Sequence, residues 1–244
     1  MTLTLVRMLP DVERLSAWAA RRGYLPLNGG DLGYALHAGL GASLGDLAPK
    51  PFYWRDGEDG AELYGYSRAD PATLQAAAAI PSADVDLRSA LNVANLEAQS
   101  MPNDWRLGQE LAFECRVRPV VRQNREGQRT RFREVDAAAH AAAKAPHAIP
   151  LKSEAYLGWT AARMQGAAEI QEASILAMKR TRCLRRPLAE SGRRAETIDG
   201  PDVTLRGKLR ITDQAAFAAL LARGVGRHRA FGFGMLLLAP PGAL

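Results

Sequence analysis

The chain has 244 residues, 47% hydrophobic and 24% charged, a balance that excludes a disordered polymer and provides for one large domain or two of about 100 residues. No apolar run approaches a membrane span and no signal-peptide pattern opens the chain. Its two cysteines, Cys115 and Cys183, lie too far apart in sequence to read as a zinc or disulfide framework. A soluble, cytoplasmic protein with buried thiols and no membrane partner is expected. The net charge of +6 is unevenly placed, because residues 1–105 carry 8 Lys and Arg against 13 Asp and Glu, whereas residues 106–244 carry 24 against 13. That asymmetry predicts a basic face for an acidic partner, and arginine, 27 of the 32 cations, suits phosphates with its planar fork.

In chain order, Met1–Met8 alternates and reads as a strand. Asp11–Arg22 has helical spacing (Val12, Leu15, Trp18), and Asp31 is a cap for a helix running to Leu44. Phe52–Trp54 and Glu62–Tyr66 form a hairpin around Gly57–Gly60, Pro71 opens an Ala-rich helix to Ile80, and Val85–Leu91 reads as a closing strand. The order β, α, β, β, α, β with an extra helix is the ferredoxin-like pattern.

The second half repeats it. Leu111–Val121 reads as a long strand, with Leu111, Phe113, Cys115 and Val117 alternating with Glu114, Arg116 and Arg118. Arg122–Arg133 is a solvated basic loop with five arginines and one Glu. Two helices follow, Asp136–Ala145 and Lys152–Met164, the second carrying Tyr156 and Trp159. Ile170–Met178 is ambiguous between strand and helix, and Lys179–Arg194 is a second basic run with seven cations. Val203–Ile211 is a strand, Thr212 and Asp213 cap a helix, and the chain ends on a buried strand at Met235–Leu238. Tandem ferredoxin-like (RRM-like) α+β domains are expected at 1–105 and 106–244, with a helical and basic insertion at about 122–200.

The organising motif is the glycine-rich loop at 224–234, where Gly224, Gly226, Gly232 and Gly234 bracket Arg227, His228 and Arg229. A dinucleotide fingerprint must follow a strand and open a helix, and this loop does the reverse. Glycines of this kind let backbone N–H groups gather around an anion, with arginines beside them. Of four histidines, His140 sits among alanines and His147 follows a proline, so both read as bystanders. His37 shares a helical face with Tyr34, away from the stripe Leu32, Leu36, Leu40, Leu44. A His and a Tyr three apart can act on one substrate group, and imidazole titrates near neutrality. A surface His beside a packed Tyr fits the same spacing. No metal-ligand spacing is present, and neither a metal nor another cofactor is expected. Tyr53, Trp54, Tyr64 and Tyr66 serve either a base-stacking platform or core packing.

The C-terminal Gly-x-Gly-(x)5-Gly-x-Gly before an apolar strand, after a two-fold ferredoxin-like pattern, resembles the repeat-associated (RAMP) proteins of CRISPR systems. Within them, Asp31-Leu32-Gly33-Tyr34-Ala35-Leu36-His37 with Leu47-Ala48-Pro49-Lys50-Pro51-Phe52 is similar to CasE-type endoribonucleases. The resemblance implies metal-independent cleavage at the base of a CRISPR repeat stem-loop, leaving a 2′,3′-cyclic phosphate and a 5′-hydroxyl. His37 would be the general acid/base and Tyr34 would orient the reacting group. The glycine loop, with Arg21, Arg22, Arg116, Arg118 and Arg122, would bind RNA, and other subunits of a CRISPR effector complex would be partners. The helix ending at Arg21-Arg22 and the 122–200 insertion depart from the CasE pattern and fit a divergent branch such as type IV, in which Arg21 or Arg22 would stand in for His37. A non-catalytic RNA-binding subunit and a nucleotide-using small-molecule enzyme remain the alternatives.

Overall fold

The computed structural model describes residues 3–26, 30–57, 60–80, 84–125, 128–186, 188–189, 192–193 and 195–242. Its first half runs β1 (Thr4–Met8), α1 (Val12–Arg21), α2 (Gly33–Leu44), β2 (Phe52–Gly57), β3 (Gly60–Ser67), α3 (Pro71–Ala79), α4 (Val85–Leu91) and β4 (Glu97–Ser100). The strands form an antiparallel sheet ordered β2-β3-β1-β4, the ferredoxin-like order. Period-two alternation divides its faces. Val6, Met8, Phe52 and Leu63 face a core with Leu15, Trp18, Leu36, Leu40 and Leu87 of the helices. Leu3, Tyr53 and Tyr66 face the other way and join the core of the second half.

The expected closing strand at Val85–Leu91 is instead α4. Asp84 caps it by accepting from the Leu87 amide at 3.0 Å, and Asn92 ends it in the left-handed region. The closing strand is β4, a short edge strand with mostly exposed residues, paired with β1.

The second half contains β5 (Glu110–Val117), β6 (Val120–Arg125), β7 (Gln128–Asp136), α5 (Ala137–Lys144), α6 (Lys152–Met164), β8 (Ala168–Arg185), the two-residue strands β9 (Leu188–Ala189) and β10 (Gly192–Arg193), β11 (Glu196–Ile211), α7 (Gln214–Arg223) and β12 (Leu236–Ala239). Its main sheet is ordered β12-β5-β11-β8, the same topology again. The tandem ferredoxin-like architecture is therefore present.

The insertion is more β than helix. Of the 122–133 segment, expected as a loop, residues 122–125 belong to β6 and 128–133 to β7, with 126–127 outside the described residues, and the first part of the basic run at 179–194 continues β8. Strands β8 and β11 pair from Ala168↔Ile211 to Arg185↔Glu196, whereas β5 accompanies β11 only from Val203 to Arg210. The remainder is a two-stranded ribbon projecting beyond the sheet. Eighteen residues at 3.2–3.4 Å each carry β8 about 60 Å, enough to reach the first half.

Candidate functional site

Three elements converge on one cleft of about 520 Å³. Tyr34 and His37 come from α2, Arg185 and Arg186 from the ribbon tip, and Gly226–Phe231 from the glycine loop, with Lys50 on the rim. None of the residues lining it is acidic. The approach of α2 to the loop depends on Gly33, where an added Cβ would collide with the Phe231 carbonyl. Asp31 turns the chain into α2 by accepting from the Gly33 amide at 2.6 Å.

On α2, His37 is exposed and Tyr34 is buried at 9% relative exposure. The His37 ring meets Phe231 edge-on, centroids 5.6 Å apart, and lies 6.3 Å from Tyr34. Tyr34 in turn contacts Phe231 and Tyr24 at 6.1 and 5.4 Å. The Arg186 guanidinium lies over Tyr24 and Tyr34, 5.1 and 5.9 Å from their centroids, and donates to the Gly23 carbonyl at 2.8 Å. Its Nε is buried without a hydrogen-bond partner among the described residues. Arg185 pairs with Glu196 across the ribbon at 2.9 Å, both half-exposed.

The glycine loop closes on itself. Gly224, Gly232 and Gly234 are buried, the Gly234 amide donates to the Arg116 carbonyl and the Val225 amide to that of Gly234. At Gly234, with φ of 78°, any Cβ would run into the Val225 carbonyl; at Gly226 it would run into Trp159. At these two positions the missing side chain makes room for protein. What the loop offers the cleft is its crest. Glu134 on β7 holds that crest, accepting from Arg227 Nε at 2.8 Å and lying 2.7 Å from His228 Nε2. Burial pushes the Glu134 pKa up, but hydrogen bonds and charges from His228 and Arg227 outweigh it and bring it down to about 2. Arg229 donates to the Arg223 carbonyl at 2.6 Å.

Arg116 and Arg118, expected on an RNA-binding face, are instead buried within the protein. Arg116 bridges Asp31 and Asp202 at 2.6 Å each, and Thr181 donates to Asp202. Burial opposes the Arg116 charge, yet the two carboxylates win and raise its pKa. Arg118 donates to the Thr181 and Ile198 carbonyls and to Cys183 Sγ. Alternation gave these arginines the polar side correctly, but that side is covered, Arg116 by the seam between the halves and Arg118 by the ribbon. Arg21 and Arg22 pair with Asp86 and Asp84, and Arg22 also covers Trp18; neither side chain lines the cleft. Arg122 is exposed on β6, outside the cleft.

Sequence reasoning did not single out Arg185, Arg186 or Lys50. The first two lie inside a basic run and Lys50 inside Pro-Lys-Pro; the ribbon's reach brings the two arginines to His37, and the loop before β2 brings Lys50. Tyr53 and Tyr66 take the packing role; their hydroxyls donate to Glu114 and to the Leu236 carbonyl at 2.6 and 2.8 Å. Both thiols are buried and free, with burial pushing Cys183 up to about 12 and Cys115 higher. Among the described residues, no group of three His, Cys, Asp or Glu is placed to hold a metal ion, and no helix is long and apolar enough to cross a membrane.

The model of the family described as CRISPR associated protein matches residues 5–240. The chain belongs to that family. Comparison with curated protein sequences finds no match. Among solved structures it resembles Thermus thermophilus Cse3 bound to an RNA representing a pre-cleavage complex, with TM-score 0.60 and 17% identity over 98% of this chain and all of that one. It also resembles the CRISPR-associated protein Cas6e from Escherichia coli K-12, with TM-score 0.57 and 18% identity over the same shares. A chain of a CRISPR RNA-guided surveillance complex in a pre-nicking state matches at TM-score 0.54 and 15% identity, over 97% of this chain and 99% of that one. At such identities the likeness establishes the fold, and it agrees with the two four-stranded sheets of like order.

Proposed function

We propose that this protein is a metal-independent endoribonuclease that cleaves CRISPR repeat stem-loops in precursor RNA and stays bound to the product. The supporting observation is the cleft itself: an exposed imidazole and a fixed tyrosine face Lys50, Arg185, Arg186 and the loop's arginines, with no carboxylate in the lining. Such surroundings favour a phosphodiester, and one solved structure that the chain resembles is the CRISPR endoribonuclease Cse3 bound to RNA. In this reading residues 1–105 supply the acid/base groups, and residues 106–244, joined by Lys50, supply the phosphate-binding ones.

The 2′-oxygen attacks the adjacent phosphorus and the bond to the 5′-oxygen breaks, giving a 2′,3′-cyclic phosphate and a 5′-hydroxyl. His37 transfers a proton at one of these oxygens, and Tyr34 orients the reacting group. Arg186, prepositioned by two aromatic rings and the Gly23 carbonyl, offers N–H groups to the charge that builds on phosphorus. Arg185 and Lys50 extend the field along the strand, and subunits of an RNA-guided complex are the expected protein partners.

The test is a labelled repeat stem-loop in EDTA beside one with a 2′-deoxy nucleotide at the scissile position. Cleavage of the first alone is expected. Cleavage of both, or of neither unless a divalent ion is added, would overturn the mechanism. Tight binding without cleavage in any condition would favour the non-catalytic subunit.

A further inference from the structure

A second cavity, of about 810 Å³, lies between the ribbon and the first half, lined among others by Trp54, Leu25, Pro26, Lys179 and Arg182. Its walls differ from those of the reaction cleft. One side is apolar, with the half-buried Trp54 indole beside Leu25 and Pro26; the other is the outer part of β8, where Lys179 and Arg182 are exposed. Among the described residues no ion pair joins Lys179 or Arg182, whereas neighbouring Arg180 is paired with Asp199 at 3.0 Å. Asp31, the carboxylate among the described lining residues, is already taken by Arg116. What remains, among the described residues, is an aromatic surface facing two exposed cations outside any ion pair.

We propose that this cavity holds one unpaired nucleotide of the RNA whose scissile phosphate occupies the reaction cleft, its base against Trp54 and its phosphate against Lys179 and Arg182. The inference rests on the ribonuclease reading. Base–aromatic stacking beside cations is the usual way proteins hold a single-stranded nucleotide, and it tolerates any base. Two features connect the cavity to the cleft. Lys179–Arg182 of β8 line the cavity, and Arg185 at the end of the same strand lines the cleft with Arg186 after it, three residues or about 10 Å further on. Trp54 also borders the glycine loop, since a Cβ on Gly232 would lie 3.6 Å from its ring. A strand leaving the cleft along the ribbon therefore meets an aromatic floor within a few nucleotides. The stem is read by shape in the reaction cleft, and the length of single-stranded flank is sensed here.

The experiment compares binding of three RNAs: the bare stem-loop, the stem-loop with its single-stranded flank, and the flanked form with each flank nucleotide made abasic in turn. Wild-type protein should bind the flanked RNA about ten-fold tighter than the bare one and lose most of that gain at one abasic position. Arg182→Ala, an exposed change, and Trp54→Ala should each bind the bare stem-loop like wild type and lose the preference for the flank. Trp54→Ala should in addition be indifferent to the abasic change. Equal affinity of wild type for bare and flanked RNA overturns the second pocket while leaving the ribonuclease reading intact, as does a preference unchanged in Arg182→Ala. Failure of wild type to bind any of the three overturns the reading and the pocket with it.

Discussion

The two four-stranded sheets share one strand order but treat their second and third strands differently. In the first, β2 and β3 end together in a hairpin, and the chemistry-bearing residues ride on the helix before it. In the second, β8 and β11 run past the sheet as a ribbon, and Arg186 at the end of β8 meets α2 and the turn after α1. The same topology thus yields a platform in one half and an arm in the other. The proposed acid/base groups and the proposed phosphate-binding arginines meet because the arm crosses to the platform, and the Asp31–Arg116–Asp202 bridge fastens the crossing at its base.

Cutting that bridge is the strongest way to break the arrangement. Arg116→Ala leaves two carboxylates buried without their cation and should lower unfolding free energy by about 3–5 kcal/mol, read by urea denaturation. An unchanged midpoint would mean that the bridge holds nothing. A milder break leaves the fold in place. Gly33→Ala pushes α2 away from Phe231, and displacing a reacting group by about an ångström should slow cleavage roughly 100-fold, with RNA binding nearly unchanged.

The loop's attachment can be sharpened by pH. Glu134 is lowered to about 2 from an ordinary 4.5, so its contribution to stability is full above about pH 4.5 and is lost as pH falls through about 2. Glu134→Gln should flatten the acid limb of the stability profile over that window; an identical profile would show that the carboxylate is not coupled to folding. The smallest effect is expected at Arg227, half-exposed and already paired with Glu134. Arg227→Ala should weaken RNA binding by a few-fold and reduce the salt slope by less than one phosphate contact.

Patterns that report a buried stripe were legible in the sequence. The α2 face, α6, α7 and the alternation of β5 all carry apolar spacing, and with them came Tyr34, His37 and the loop. The ribbon was not legible, because most of β8 is exposed on both faces and shows no alternation to read. β4 escaped for the same reason, being an exposed four-residue edge. Arg116 and Arg118 were placed on the polar side of a strand, but only tertiary structure shows that this side is covered by Asp31, Asp202 and the carbonyls of the ribbon. Gly234 reads from sequence as ligand-facing but makes room for Val225, whereas Gly226 lines the cleft and makes room for Trp159 as well.

The central claim is that each half contributes a different function to one cleft. It is tested most directly by measuring single-turnover cleavage and equilibrium binding of the repeat stem-loop for His37→Ala and Arg186→Ala side by side. The account predicts that His37→Ala loses at least about 100-fold in rate with binding within about two-fold of wild type, while Arg186→Ala loses both rate and affinity. Cleavage by His37→Ala at the wild-type rate would contradict it.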